Sequence, residues 1–413
     1  MSLIKPFAGL RPARERAEDV LAPPYDVLSR EEAKQKVIGH PWSFLHISRP
    51  EIGLSDDVDQ YAPEVYAKAA EMLASLRSDG ILHSDQQSYY YVYRIWVDTH
   101  VQTGLVAVAS VEAYDSGRIK RHELTRLEKE DDRVRQIEAV NAQTGPVLMA
   151  YKANEVLDTI LARAAETPPD VNAIAEGDVM HQLWLITDRD TCNTITRTVE
   201  AMPSLYVADG HHRSAAASRV AAQRKAANPN HTGDEPYNYF LSVMFADCDM
   251  HIFDYNRVVK DLNGLTQQAF LEKLEGAFQV TPSPHPYRPT CNGEFGMYLK
   301  GRWYRLALHS NHIPVNDPVA KLDASLLTDH LLDPILGIKD LRSDNRVDFV
   351  GGIRGRAGLE NPVNNGEMAV AFALFPVTMN ELMAVADAGE IMPPKSTWFE
   401  PKLADGLVTH LLD

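Results

Sequence analysis

Strands and helices interleave along the whole chain, which predicts a mixed α/β or α+β protein. Runs such as "SYYYVYRIWV", "GPVLMAY" and "HQLWLITD" are apolar, β-branched and aromatic, the composition of strands. Between them lie segments whose apolar residues recur at helical spacing, and no fixed-period repeat or low-complexity stretch interrupts the pattern. With 413 residues, 45% hydrophobic and 24% charged, the chain has room for two or three domains with cores of their own.

The first segment is broken by Pro6, Pro12, Pro23 and Pro24, and a helix is expected only after Ser29, which forms a capping box with Glu32. An amphipathic helix follows near Glu64 to Arg77. "SYYYVYRIWV" and "TGLVAVASVEAY" then read as a β-hairpin turned by "DTHVQTG". From "GRIKRHELTRLEKEDDRVRQIEAV" onward the pattern is helical and heavily charged. "LYVAD" reads as a buried strand and "SAAASR" as the start of a helix, so "DGHHR" sits on a strand-to-helix turn. Further on, "TQQAFLEKLEGAFQV" is a helix running into a strand, and "FGMYLKGRWYRLALH" is a hairpin turned at Lys300 and Gly301. The change of character places a boundary near residue 260. This gives a domain over 1–260 and a mixed α/β domain over 261–413, whose tail is able to return to the site.

The formal net charge of -16 and pI of about 5.4 oppose attraction to a nucleic-acid backbone or an anionic membrane. Cys192, Cys248 and Cys291 are few and scattered, which suits neither a disulfide framework nor a clustered zinc site. "MSLIKPFAGLRP" lacks a signal-peptide core, and no apolar run is long enough to span a bilayer. The expectation is a soluble cytoplasmic protein with no nucleic-acid or membrane partner; a homodimer is the assembly considered.

"DGHHR", Asp209 to Arg213, is the strongest local signal. Gly210 permits a tight turn, N–H groups at a helix start point outward, and Arg213 can grip phosphate oxygens in bidentate fashion. The plain alternative is a turn capped by Asp209 with exposed histidines. In "RHELTRLEKEDDR", His122, Thr125, Arg126, Lys129 and Arg133 fall along one side at helical spacing, and the plain alternative is a solvated charged helix. In "APPYDVLS" the two prolines stiffen a loop from which Tyr25 and Asp26 project, so Asp26 is a candidate general base or magnesium ligand, or else makes an Asx-turn. "MPPKSTWFEPK" offers Lys395, Ser396 and Thr397 as phosphate donors, or is a surface strap. Common nucleotide, zincin and hydrolase motifs are absent.

Together "KPFAGLRP", "APPYDV", "FLHISRPE", "IKRHELTRLEKEDDR", "YVADGHHRSAAA" and "MPPKSTWFEPKL" resemble the bacterial and archaeal family catalogued as domain of unknown function 1015, in blocks from residue 4 to about 407. The "DGHHR" block is also similar to the turn of the ParB and sulfiredoxin-like superfamily, which includes free-serine kinases. That second resemblance implies a ParB/sulfiredoxin-like element in the fold and a nucleotide phosphate held at Asp209, Gly210, His211, His212 and Arg213. Relatives have been linked to release of phosphate from phosphoserine. The expected function is phosphoryl transfer on a small phosphorylated metabolite, as a phosphoserine phosphatase or free-serine kinase using ADP or ATP, with Mg2+ if a nucleotide takes part. Arg213 and the Gly210–His212 backbone cradle phosphate, His211 or His212 protonates the leaving oxygen, and Asp26 activates the attacking hydroxyl or water. Arg126, Lys129 and Arg133 hold a substrate carboxylate or second phosphate, and Lys395 is a further phosphate-binding candidate. No metal ligand is assigned. The rival expectations are a regulatory protein that binds a nucleotide or phosphometabolite without turnover, and DNA binding in the manner of ParB, which the acidic balance disfavours.

Overall fold

The computed structural model describes residues 2–413. The chain is mixed α/β and forms two compact units: one runs to Met250 and regains Pro401–Asp413, the other is His251–Glu400. The sequence placed the division near residue 260 and the whole tail in the second domain. The difference at the tail is physical: "LADGLVTHLL" is almost wholly buried and pairs its backbone within the first unit. Leu10 donates to the Thr409 carbonyl at 2.9 Å, and Asp405 to the Ala22 carbonyl at 2.9 Å.

A nine-stranded mixed sheet organises the first unit. Its strands are β1 (Ile4–Lys5), β2 (Tyr90–Val97), β3 (His100–Ser110), β4 (Ile119–Lys120), β5 (Val147–Tyr151), β6 (Val171–Ala175), β7 (Val179–Ile186), β8 (Leu205–Asp209) and β9 (Tyr239–Ala246). They lie in the order β4-β8-β5-β9-β3-β2-β7-β6, with β1 beside β3. The central strands β5 and β9 are buried throughout, as a sheet covered on both faces requires. Tyr90, Leu105, Met149, Val207 and Phe240 belong to the core of this unit.

The helices α1 (Arg30–Lys36), α2 (Pro63–Ser78), α3 (Leu127–Val140), α4 (Glu155–Ala164), α5 (Arg189–Glu200) and α6 (His211–Ala227) complete this unit, together with shorter turns. Both halves of the Ser29–Glu32 capping box at α1 are formed. Val134 and Ile137 of α3 pack with Ala216 and Val220 of α6. Arg219 spans the same pair of helices, reaching Glu130 at 3.2 Å and Asp131 at 2.6 Å.

Two local readings need correction. The β2–β3 turn is tighter than "DTHVQTG": Val97 already pairs with His100, leaving Asp98 and Thr99 at the tip with Asp98 at φ 49°. "VEAY" leaves the strand for a short helix capped by the Ser110 hydroxyl. The charged stretch is not one helix either. Ile119 and Lys120 pair in parallel with Leu205 and Tyr206, and helix begins only at Leu127, because sheet pairing outweighs the helical preference of the segment.

The second unit holds a six-stranded antiparallel sheet of β10 (Tyr255–Val259), β11 (Phe278–Ser283), β12 (Glu294–Leu299), β13 (Arg302–Leu308), β14 (Val347–Gly351) and β15 (Val370–Ala373), in the order β11-β13-β12-β15-β10-β14. The β12–β13 hairpin turns at Lys300 and Gly301, with φ of 47° and 80°. Two positive-φ residues are what a two-residue hairpin of this twist demands. Cys192, Cys248 and Cys291 are free thiols. No helix among the described residues is long and apolar enough to cross a membrane.

Candidate functional site

The strand-to-helix turn is built by β8, Gly210 and α6. Pairing of β8 with β5 slips between Val207 and Asp209, a bulge that re-aims the strand end just before the turn. Gly210 is the N-cap residue at φ 99°, a conformation costly to any other residue. A β-carbon there would also sit 3.1 Å from Arg213 Nε. Gly210→Ala is expected to cost about 1–3 kcal/mol through backbone strain. A drop in the urea midpoint at unchanged slope would show it. Asp209 does not cap the helix by its side chain. It accepts from Lys402 Nζ at 3.0 Å. Burial alone would raise the Asp209 carboxyl, but Lys402 and Arg213 hold it well below the usual range.

The two histidines face different surroundings. His211 is 4% exposed and packs edge-on against His122, ring centroids 4.5 Å apart. Burial, then the His122 ring, hold its pKa well below the ordinary value. His212 is half-buried. Burial lowers its pKa too, with Asp26 and Glu130 opposing and Arg126 and Lys129 adding to the shift.

Arg213 lies in the electrostatic field of Asp26, Asp209, Tyr25 and Asp405; burial works against its charge, and these groups more than restore it. Its guanidinium also donates to the Pro146 carbonyl. Arg133 of α3 stacks on the Tyr25 ring at 3.9 Å and donates to Asp132 at 2.6 Å. Burial opposes its charge as well, and Tyr25, Asp132 and Asp26 outweigh it. Tyr25 itself is pushed up to about 12, chiefly by burial. Arg49 from "SRPE" steadies this loop by donating to the Tyr25 carbonyl at 2.8 Å, and leaves Asp26 exposed at the turn.

Behind Arg213 lies a polar cavity of about 30 Å³ lined by Tyr25, Ser48, Arg133, Gln136, Arg213 and Asp405, among others. That volume holds a water or two and not a metabolite. Ser48 Oγ, Gln136 Oε1 and Asp405 Oδ1 have no hydrogen-bond partner among the described residues, so bound water is the expected occupant. Asp405 is 1% exposed. Burial pushes its carboxyl up to about 7; Asp26 adds to the shift, and Arg213 and Arg133 restrain it.

The structure thus brings Asp26, His212, Arg213 and Arg133 into one neighbourhood. Arg126 is extended and precedes α3, so the single helical face running from His122 to Arg133 does not exist. Lys129 donates to the Tyr61 hydroxyl at 3.0 Å. Lys395 belongs to the second unit, where its Nζ lies 5.7 Å from the Tyr255 ring centre. Sequence reasoning missed Asp405, Lys402 and Gln136. For Asp405 a signal was present: one carboxylate inside the apolar "LADGLVTHLL" announces a buried charge.

Residues 4–325 match the family described as "Protein of unknown function (DUF1015)". The chain belongs to this family. The match to DUF1015 contains Asp26, Arg133 and the whole 209–213 turn, while Lys402 and Asp405 lie beyond it. No curated protein matches the chain. Three solved structures are similar to it: a free serine kinase in complex with AMP (14% identity, covering 75% of this chain and 94% of that one, TM-score 0.37), a conserved hypothetical protein from Pyrococcus furiosus (14%, 76% and 97%, 0.36), and SbnI with a C-terminal truncation from Staphylococcus aureus (13%, 73% and 85%, 0.38).

Proposed function

We propose that this DUF1015 protein transfers or hydrolyses the phosphoryl group of a small phosphorylated metabolite, with phosphoserine or serine as the first substrates to test. The reading rests on one observation: Arg213 sits in the first turn of α6, in the electrostatic field of Asp26 and lining one cavity with Arg133. Phosphoryl transfer asks for positioning and charge neutralisation more than for covalent help. The α6 N-terminus and Arg213 bind the phosphate oxygens, and Arg133 adds positive charge. Asp26, exposed on its stiff loop, accepts the proton of the attacking hydroxyl or water. His212 is the histidine on this side and donates to the leaving oxygen; His211 faces His122 and is withdrawn from that role. Asp209 is engaged by Lys402, which leaves Asp26 to act as this base or, in place of that role, to hold a magnesium ion arriving with ADP or ATP. Such an ion would neutralise phosphate charge.

Binding without turnover is the rival, since the same charged turn around Arg213 would serve a protein that only binds the anion. Asp26→Asn separates the two. Phosphate release from phosphoserine, and serine phosphorylation with ADP or ATP, are assayed with Mg2+ present. The variant is expected to lose roughly a hundredfold or more in turnover while phosphoserine still raises its melting temperature. Turnover that survives the substitution removes Asp26 from the chemistry. A wild-type protein inactive in every assay, yet thermally stabilised by phosphoserine, replaces the enzyme with the binding protein.

A further inference from the structure

On the other side of the turn, His122, Glu123 and His211 bring one ligand atom each within 4.8 Å of one another. We propose that these three residues form a transition-metal site, taking Zn2+, Mn2+ or Fe2+ and leaving coordination positions open. Three features of the geometry support it. First, the donors are two imidazoles and one carboxylate, a set suited to first-row transition metals rather than to magnesium, which prefers oxygen alone. Second, His122 is 1% exposed, and neither of its ring nitrogens makes a hydrogen bond among the described residues. The Val207 carbonyl is near enough to influence its charge but does not complete a well-formed bond. A neutral imidazole carries one donor and one acceptor, and leaving both unsatisfied in the interior is costly unless something else takes the lone pair.

Third, the spacing is close to what an ion needs. Metal–ligand bonds of about 2.1 Å in tetrahedral geometry put donors about 3.4 Å apart. His211 Nδ1 and Glu123 Oε2 stand 3.9 Å apart, so closure requires only a small movement. Glu123 lies between β4 and α3, outside either element, with its side chain 45% exposed. The Arg121 guanidinium lies over the Tyr114 ring at 5.0 Å, although its charge is still felt at His211. Three protein ligands with open positions make a site that can take water or an anionic oxygen, unlike the closed four-ligand sites that only hold a fold together.

The test uses the full chain, stripped with a chelator and titrated with Co2+ or Zn2+ in the absence of phosphate, so that it succeeds or fails independently of the phosphoryl-transfer reading. One Co2+ per chain is expected, with visible absorption of a nitrogen- and oxygen-ligated ion and imidazole scattering in the X-ray absorption spectrum. Glu123→Gln, a substitution at a half-exposed side chain, should weaken binding tenfold or more, and His122→Gln should abolish it. The melting temperature of both variants without metal reports their folding. Absence of stoichiometric binding by the wild-type chain overturns the proposal, as does binding that is undisturbed in Glu123→Gln.

Discussion

Arg213→Ala should reduce the proposed phosphoryl-transfer turnover by roughly a hundredfold or more, and should abolish the thermal shift produced by phosphoserine. The guanidinium is the group that joins the turn to Asp26, Tyr25 and Asp405, so its loss removes both the bidentate grip and the positive charge facing those acids. Stability should fall with it, by about 3 kcal/mol, because the carboxylates around the turn, Asp405 buried among them, lose a counter-charge. Part of that loss is relieved at Asp405, which can take up a proton once Arg213 no longer restrains it. Arg213→Lys should recover much of the stability and little of the function, since an ammonium supplies charge without the fork. Phosphate-dependent melting and urea unfolding of the two variants, compared with the wild type, separate these contributions. If Arg213→Ala keeps the full phosphoserine shift, the anion is bound elsewhere.

Asp405→Asn should make the protein more stable at neutral pH and flatten its pH dependence. In the folded chain Asp405 keeps its proton up to about pH 7, whereas the unfolded chain releases it near 3.8. Between those values the unfolded state binds fewer protons, so stability falls as pH rises. This contribution is fully present below pH 3.8 and is lost as the pH passes through about 7. A shift of that size corresponds to at most about 4 kcal/mol, at 1.36 kcal/mol for each pKa unit. Asparagine has nearly the same shape and no proton to release. Urea unfolding should therefore show the two proteins alike at pH 4 and the variant more stable by about 2–4 kcal/mol at pH 8. Asp323 in the second unit is also raised to about 7 by burial, but it acts equally in both proteins and cancels in the difference. Parallel stability curves from pH 4 to 8 would mean that Asp405 ionises normally in the folded chain.

Features whose cause lies within a few residues could be read without any structure. The glycine between "LYVAD" and "HHRSAAASR" permits a tight turn, Ser29 and Glu32 cap a helix, and Lys300–Gly301 reverse a hairpin. Each follows from backbone sterics or from satisfying N–H groups at a helix end, and neither depends on what lies across the fold. The interleaving of strand-like and helical segments likewise set the mixed class, and composition the acidic charge. Pairing between distant segments had no such local signature. Only the packed chain separates His211 from His212, sending one to His122 and leaving the other toward Asp26. Only it breaks the charged stretch at Lys120 by sheet pairing with Tyr206, and carries Lys402 to Asp209 across 193 residues of sequence. Strand order and the burial of apolar faces choose those meetings, and both are properties of the whole chain: the same residue is a solvated charge on one surface and a site residue in another, according to which element covers it.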